Sequence, residues 1–148
     1  MPFGINWLQN NMFTLADLLE ALTGVRIPNA TAVITEAVID SRQAIPASLF
    51  VAIPGENADG HNFITDAFKR GATFALTQKE TPAFKTLDLR DGVSAESTPD
   101  LSLPREAGAG LCLRVDNTVS ALQQAARFWR RKLNLRVIGI TGSVGKST

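Results

Sequence analysis

Two apolar runs, Ser48-Leu-Phe-Val-Ala-Ile53 and Ala72-Thr-Phe-Ala-Leu-Thr77, decide the fold. Both are short and rich in β-formers. Pro54-Gly55 closes the first and Gly71 precedes the second, so each reads as a strand, the first of them central. Between them a turn-rich loop, Gly55-Glu-Asn-Ala-Asp-Gly-His61, hands over to a helix expected from about Phe63 to Arg70. Phe63, Ile64, Ala67 and Phe68 form its expected stripe. A strand-helix-strand unit favours parallel pairing, and the class follows: α/β, a small mixed or parallel sheet flanked by helices.

Outward from this unit, a helix is expected over Leu15 to Thr23. Thr14 and Asp17 have capping-box spacing, Leu15, Leu18, Leu19 and Leu22 make the stripe, and Gly24 is the stop. Ala32 to Ile39 suits a strand running into Asp40-Ser41-Arg42. On the other side, the segment from Lys79 to Gly110 carries scattered Pro and Gly without a sustained period. Phe84 to Leu89 is its one candidate edge strand, and Gly92 to Gly110 is expected to be a mobile insertion. Leu111 to Val115 is another strand. Asp116 or Asn117 then caps a long helix with Val119, Leu122, Ala126, Trp129 and Leu133 as its packing face. Met1 to Asn11 shows no clear periodicity, and Met12 is a candidate start.

A composition of 45% hydrophobic and 20% charged residues is that of an ordinary globular chain. The net charge of +1 gives no field for nucleic acid. Arg127, Arg130, Arg131 and Lys132 read as a solvated helix face. The single Cys112 excludes a disulfide framework and a cysteine metal site within the chain, so a reducing, cytoplasmic setting is the default. No stretch is long and apolar enough to span a membrane.

The chemistry is concentrated at the end, in Arg136-Val-Ile-Gly-Ile-Thr-Gly-Ser-Val-Gly-Lys-Ser-Thr148. Val137 to Ile140 reads as a buried strand entering a Gly-rich phosphate loop, Gly142, Ser143, Val144, Gly145, Lys146, Ser147 and Thr148. The glycines let backbone N–H groups turn inward, Lys146 serves the β- and γ-phosphates, and the Ser147 hydroxyl is placed for Mg²⁺. A strict G-x-x-x-x-G-K-[ST] needs Gly at 140, where Ile140 stands. Such a loop works with the helix that follows it, whose N-terminus adds donors and about half a unit of positive charge. The chain is therefore expected to be the front of a longer enzyme.

The variant loop resembles the ATP loop of the Mur ligases, the ATP-dependent amide-forming enzymes of peptidoglycan precursor synthesis. Their folylpolyglutamate and cyanophycin synthetase relatives share it. A second set of motifs favours the Mur ligases: Asp40-Ser-Arg42, Pro46-Ala-Ser-Leu-Phe-Val-Ala52 and Gly55 through Asp59-Gly-His-Asn-Phe63. Read alone, these are polar clusters at strand ends, where open α/β sheets tend to bind ligands. In this order they resemble the N-terminal domain of the MurE and MurF branches.

That resemblance implies a domain over 12–134 that holds the UDP part of a UDP-N-acetylmuramoyl-peptide, an extension over 1–11, and the start of an ATP-binding domain over 135–148. It implies nucleotide contacts at Ile39, Ser41, Glu56, Asn57 and Ala58, with ATP and Mg²⁺ at the loop and Lys146 catalytic. Ala47 departs from a usual Gly, expected to cost only backbone freedom; Val144 and Ser147 depart from an often polar residue and the commoner Thr. Phe128-Trp-Arg-Arg-Lys132 followed by Leu133-Asn-Leu-Arg-Val137 looks more like the MurF branch, which adds D-alanyl-D-alanine, and a monomer is expected. A MurE-type ligase, a non-catalytic nucleotide-binding module and another P-loop NTPase stay open.

Overall fold

The computed structural model describes residues 12–96, 99–104, 106 and 108–144, with side chains as far as Leu133. The elements are α1 (Leu15–Thr23), β1 (Ala37–Val38), β2 (Leu49–Val51), α2 (Ile64–Lys69), β3 (Phe74–Thr77), β4 (Lys85–Asp88), β5 (Leu111–Arg114) and α3 (Thr118–Val144). Short 3-10 turns at Ser41–Gln43 and Gly60–Phe63 precede β2 and α2. The sheet has five strands in the order β1-β2-β3-β5-β4, and all four neighbouring pairs are parallel.

The register explains the layers. Leu49, Phe74 and Leu111 lie side by side, as do Val51, Leu76 and Leu113; these project to one face, into a core with Leu15, Leu18 and Leu19 of α1 and Ala121 and Ala125 of α3. Phe50, Ala75 and Cys112 alternate to the opposite face and meet Ile64, Ala67 and Phe68 of α2. Both faces are covered, which is why these strands read as continuous apolar runs. Cys112 is buried and its thiol is pushed up to about 11 by desolvation, so it is packing, not chemistry.

Helix α1 begins as its sequence dictates. The Asp17 N–H donates to Thr14 Oγ1 at 3.3 Å, the Thr14 N–H donates to the Asp17 carboxylate at 2.9 Å, and Gly24 ends the helix at φ 79°. A cap of this kind contributes about 1 kcal/mol. Asp17 also receives Arg26 at 3.1 Å and Lys132 of α3 at 2.9 and 3.0 Å, although it is only 1% exposed. Burial pushes its carboxyl up, but the hydrogen bonds from Lys132, Thr14 and Arg26 outweigh burial and hold it below its ordinary value.

Several expectations need correction. The strand expected over Ala32 to Ile39 pairs only at Ala37–Val38, with Val33 forming an isolated bridge to Thr14. Phe63 is not on the buried stripe of α2: it precedes the helix and is 45% exposed, because a 3-10 turn replaces the expected first helical turn. On α3 the buried line is Thr118, Ala121 and Ala125, while Val119 and Ala126 are exposed. Small residues let the helix approach the sheet, so its phase is turned from the larger stripe. Arg127, Arg130 and Arg131 are exposed as expected, but Lys132 is drawn out of that face by Asp17.

The backbone of α3 runs on across Val137–Ile140, where a strand was expected. A helix satisfies the backbone groups of that run within itself, without a partner strand. The helix also takes in Gly142, Ser143 and Val144, the first three residues of the expected phosphate loop; side chains from residue 134 on, and all of 145–148 with Lys146 and Ser147, lie outside the described residues.

β4 is the edge strand expected within Phe84 to Leu89. Beyond it the insertion has no helix or strand among the described residues, yet Val93 and Leu101 pack against the core, and Lys85 donates to the Ser102 carbonyl at 2.7 Å.

Ala47 does more than lose freedom. It holds φ 66°, in the left-handed region, with its N–H bonded to the Gly71 carbonyl and its carbonyl to the Thr35 N–H, both at 3.0 Å. Ala47→Gly should relieve that strain and raise stability by about 1 kcal/mol, a rise of about 3 °C in Tm. Thermal unfolding followed by circular dichroism checks it; an unchanged or lower Tm would show that the turn is not strained.

Candidate functional site

Parallel strands bring all their C-terminal ends to one edge of the sheet, and the polar motifs leave from there. After β1, Asp40 accepts the Arg42 N–H at 3.0 Å and starts the 3-10 turn at Ser41–Gln43. The Arg42 guanidinium returns to the same carboxylate at 3.0 and 2.8 Å and holds it down at about 2. Ser41 is buried, and its hydroxyl donates to Asp66 of α2 at 2.8 Å. That bond, then Arg70, keeps the Asp66 carboxyl below its ordinary value.

After β2, the loop returns to the strand at Gly60. Its N–H donates to the Ile53 carbonyl at 2.9 Å, and a Cβ there would sit 2.6 Å from the Ile53 nitrogen, so only glycine fits. Asp59 accepts the His61 N–H at 3.0 Å and begins the turn at Gly60–Phe63. His61 Nδ1 donates to the same carboxylate at 2.7 Å, while Nε2 accepts the Gln78 N–H at 3.0 Å. The imidazole is thus a neutral bridge from the β2 loop to the end of β3. Lys79 completes the set with an ion pair to Asp59. Lys79 first, then His61, holds the Asp59 carboxyl well below the usual carboxylate range.

Gln78 carries the bridge onward. Its side-chain oxygen accepts the Thr118 N–H at 2.9 Å, capping α3 from across the sheet, and Thr118 Oγ1 lies 2.8 Å from the Ala52 carbonyl. Asn117, of the two expected caps, accepts the Ser120 N–H at 2.8 Å.

These turns enclose a cleft of about 740 Å³, lined by Ile39, Asp40, Ser41, Arg42, Ile53, Ala58, Gly60, Phe63 and Asp66. Ile39, 61% exposed, and Phe63 stand as apolar side chains beside the polar Ser41 and Asp66. Of the expected nucleotide contacts, Ile39, Ser41 and Ala58 line the cleft; Glu56 and Asn57 are exposed on the loop and do not. Sequence reasoning did not assign Arg42, Phe63 or Asp66 to the site. Arg42 and Phe63 lay inside the quoted motifs, whereas nothing local to Asp66 links it to Ser41, 25 positions away. Among the described residues no group of three or more His, Cys, Asp or Glu side chains could hold a metal ion, and no helix is long and apolar enough to cross a membrane.

Residues 33–130, which carry every motif of this cleft, match the family described as "Mur ligase family, catalytic domain". The chain belongs to the Mur ligase family. Its relatives include the UDP-N-acetylmuramoyl-L-alanyl-D-glutamate--2,6-diaminopimelate ligase of Chlorobium phaeobacteroides, 38% identical over 74% of this chain and 18% of that one. The UDP-N-acetylmuramoyl-tripeptide--D-alanyl-D-alanine ligase of Bacillus subtilis is 33% identical over 74% of this chain and 19% of its own. A crystal structure of MurF from Acinetobacter baumannii aligns with a TM-score of 0.49 and 25% identity, over 84% of this chain and 22% of that one. This Mur ligase chain thus spans about a fifth of the length of the curated relatives it matches.

Linkage fixes the sign of the pH dependence. Asp59 is lowered in the fold, so its contribution is fully present above the ordinary Asp value of about 4 and is lost as pH falls through the lower folded value. The urea midpoint should therefore fall between about pH 6 and about pH 3, and Asp59→Asn should flatten part of that slope. An identical slope in the variant would mean that the Lys79–Asp59–His61 set contributes nothing to stability.

Proposed function

We propose that this chain is the UDP-substrate-binding part of an ATP-dependent ligase that adds D-alanyl-D-alanine to UDP-N-acetylmuramoyl-tripeptide. The observation that carries the reading is the cleft at the ends of β1 and β2, where Ile39, Ser41 and Ala58 come together although they leave from different strands. Ile39 and Phe63 offer apolar surface for a base, the Ser41 oxygen has lone pairs free to accept, and Arg42 adds a guanidinium at the rim for a diphosphate.

The chemistry of the whole enzyme would run through two anionic ligands. The peptide carboxylate takes the γ-phosphoryl group of ATP, ADP leaves, the incoming amine attacks the acyl phosphate carbon, and inorganic phosphate departs as the amine loses its proton. Lys146 and a Mg²⁺ on Ser147 are proposed to neutralise the moving phosphoryl group, with the backbone of Gly142, Ser143, Val144, Gly145 and Thr148 around it. This half of the proposal rests on the sequence Gly142 to Thr148 alone. A cytoplasmic, monomeric enzyme is the form proposed.

A second reading has its own support: the diaminopimelate-adding relative is 38% identical, so a MurE-type ligase competes. The run Phe128 to Val137, by its resemblance to the MurF branch, favours the D-alanyl-D-alanine reading. Offering both amines to the full-length enzyme separates the two, and turnover with diaminopimelate alone would overturn our choice.

Two variants test the division of labour. Lys146→Ala in the full-length enzyme should abolish ligation and leave binding of the UDP-linked peptide nearly intact; unchanged turnover would remove the phosphate-loop assignment. Ser41→Ala with Arg42→Ala should raise KM for the UDP-linked peptide about tenfold and leave KM for ATP in place. Equal effects on both substrates would reduce these residues to turn formers.

A further inference from the structure

Ser41 and Asp66 both line the strand-end cleft, and they reach it from different elements. Ser41 opens the 3-10 turn that Asp40 caps, and Asp66 lies in the first turn of α2. The Ser41 hydroxyl donates to Asp66 Oδ2 at 2.8 Å, and the Arg70 Nε–H donates to the same oxygen at 3.0 Å. These two bonds hold the Asp66 carboxyl below its ordinary value, so at neutral pH it is ionised and has no proton to give. A hydroxyl carries one proton and two lone pairs. The proton of Ser41 is therefore committed to Asp66. Among the described residues no donor reaches its Oγ, and what Ser41 offers a ligand in the cleft is an acceptor.

We infer that Asp66 is a positioning residue that makes Ser41 an acceptor only, and that this selects uracil over cytosine. The inference rests on the uridine-nucleotide reading proposed above. Uracil carries a single ring N–H donor, the imide at N3, between two carbonyl oxygens; cytosine turns a lone pair outward at N3. Ile39 and Phe63 line the same cleft, so a base lying on their apolar surface has its polar edge within the reach of Ser41. An imide N–H completes the chain N3–H to Ser41 to Asp66. Cytosine in the same pose sets its N3 lone pair against that of Ser41. Relief would require the hydroxyl to rotate away from Asp66, and the 5% exposure of Ser41 leaves little water to replace the bond it would lose. Arg70 contributes by sharing Oδ2, which holds the carboxylate in place from within α2.

Calorimetry of the full-length enzyme with UDP, CDP and N3-methyl-UDP tests this. The unchanged enzyme should bind UDP about tenfold more tightly than either analogue. Asp66→Ala frees the Ser41 hydroxyl to turn and should bring the affinities for UDP and CDP to within about threefold of each other. Asp66→Asn, which keeps an oxygen where Oδ2 accepts, should restore the preference. The ratio compares two ligands on one preparation, so a misfolded fraction does not alter it. Ser41→Ala should lose the preference as well, and adding Asp66→Ala to it should change the ratio no further, because Asp66 acts through Ser41. A preference for UDP that survives Asp66→Ala, or N3-methyl-UDP binding as tightly as UDP, overturns the inference and leaves the uridine-nucleotide reading standing. An unchanged enzyme that binds no UDP overturns both.

Discussion

Every other feature of this domain depends on one constraint: β2, β3 and β5 are parallel neighbours buried on both faces. Parallel strands cannot be joined by tight hairpins, so the chain must cross over between them; α2 is the crossover from β2 to β3 and covers one face, while α1, before the first strand, and α3, after the last, cover the other. The alternation within each strand then divides the core. Leu and Phe go to the broad face under α1 and α3; on the other face, Ala75 and Cys112 leave room beside Phe50 for the Phe68 ring of α2. Phe68 comes so close to β5 that a Cβ at Gly110 would lie 2.6 Å from it.

The same constraint builds the site. Because all strand ends leave the sheet at one edge, three separate polar motifs arrive together, and each is held by side chains from another. Ser41 is tied to α2 through Asp66, and the β2 loop is tied to β3 through Asp59, His61 and Lys79. Gln78 then ties β3 to the first turn of α3. The result is a strand-end cleft whose walls are cross-tied rather than carried on independent loops. The Asp17–Lys132 pair adds a second tie, fixing α3 to the cap of α1 at its far end from the cleft. Replacing Asp17 would leave Lys132 without its carboxylate, whereas replacing Lys132 would leave the buried Asp17 with Arg26 as its remaining cation.

Much of this was legible in the residue order. The α1 capping box, the stop at Gly24, the apolar runs of β2, β3 and β5, and the edge strand β4 follow from patterns a few residues long. Ile39, Ser41 and Ala58 were singled out by the family resemblance, and the three line the strand-end cleft. Glu56 and Asn57 were expected beside them, yet the loop turns both outward: Gly60 pins its far end against Ile53, and only Ala58 stays over the cleft.

The sequence by itself determined α1, α2, the start of α3 and the strands β2 to β5, though neither the extent of β1 nor the helix across 137–140, since caps, stops and apolar runs act through neighbours within about four positions of one another. It did not determine the phase of α3, the exposure of Phe63 and Ile39, the left-handed strain at Ala47, or the capture of Lys132 by Asp17. Only the tertiary structure decided these, because each depends on what lies across the sheet or on another helix. The Asp17–Lys132 contact spans 115 positions and the Thr118–Ala52 contact 66, and no local pattern carries information over such distances.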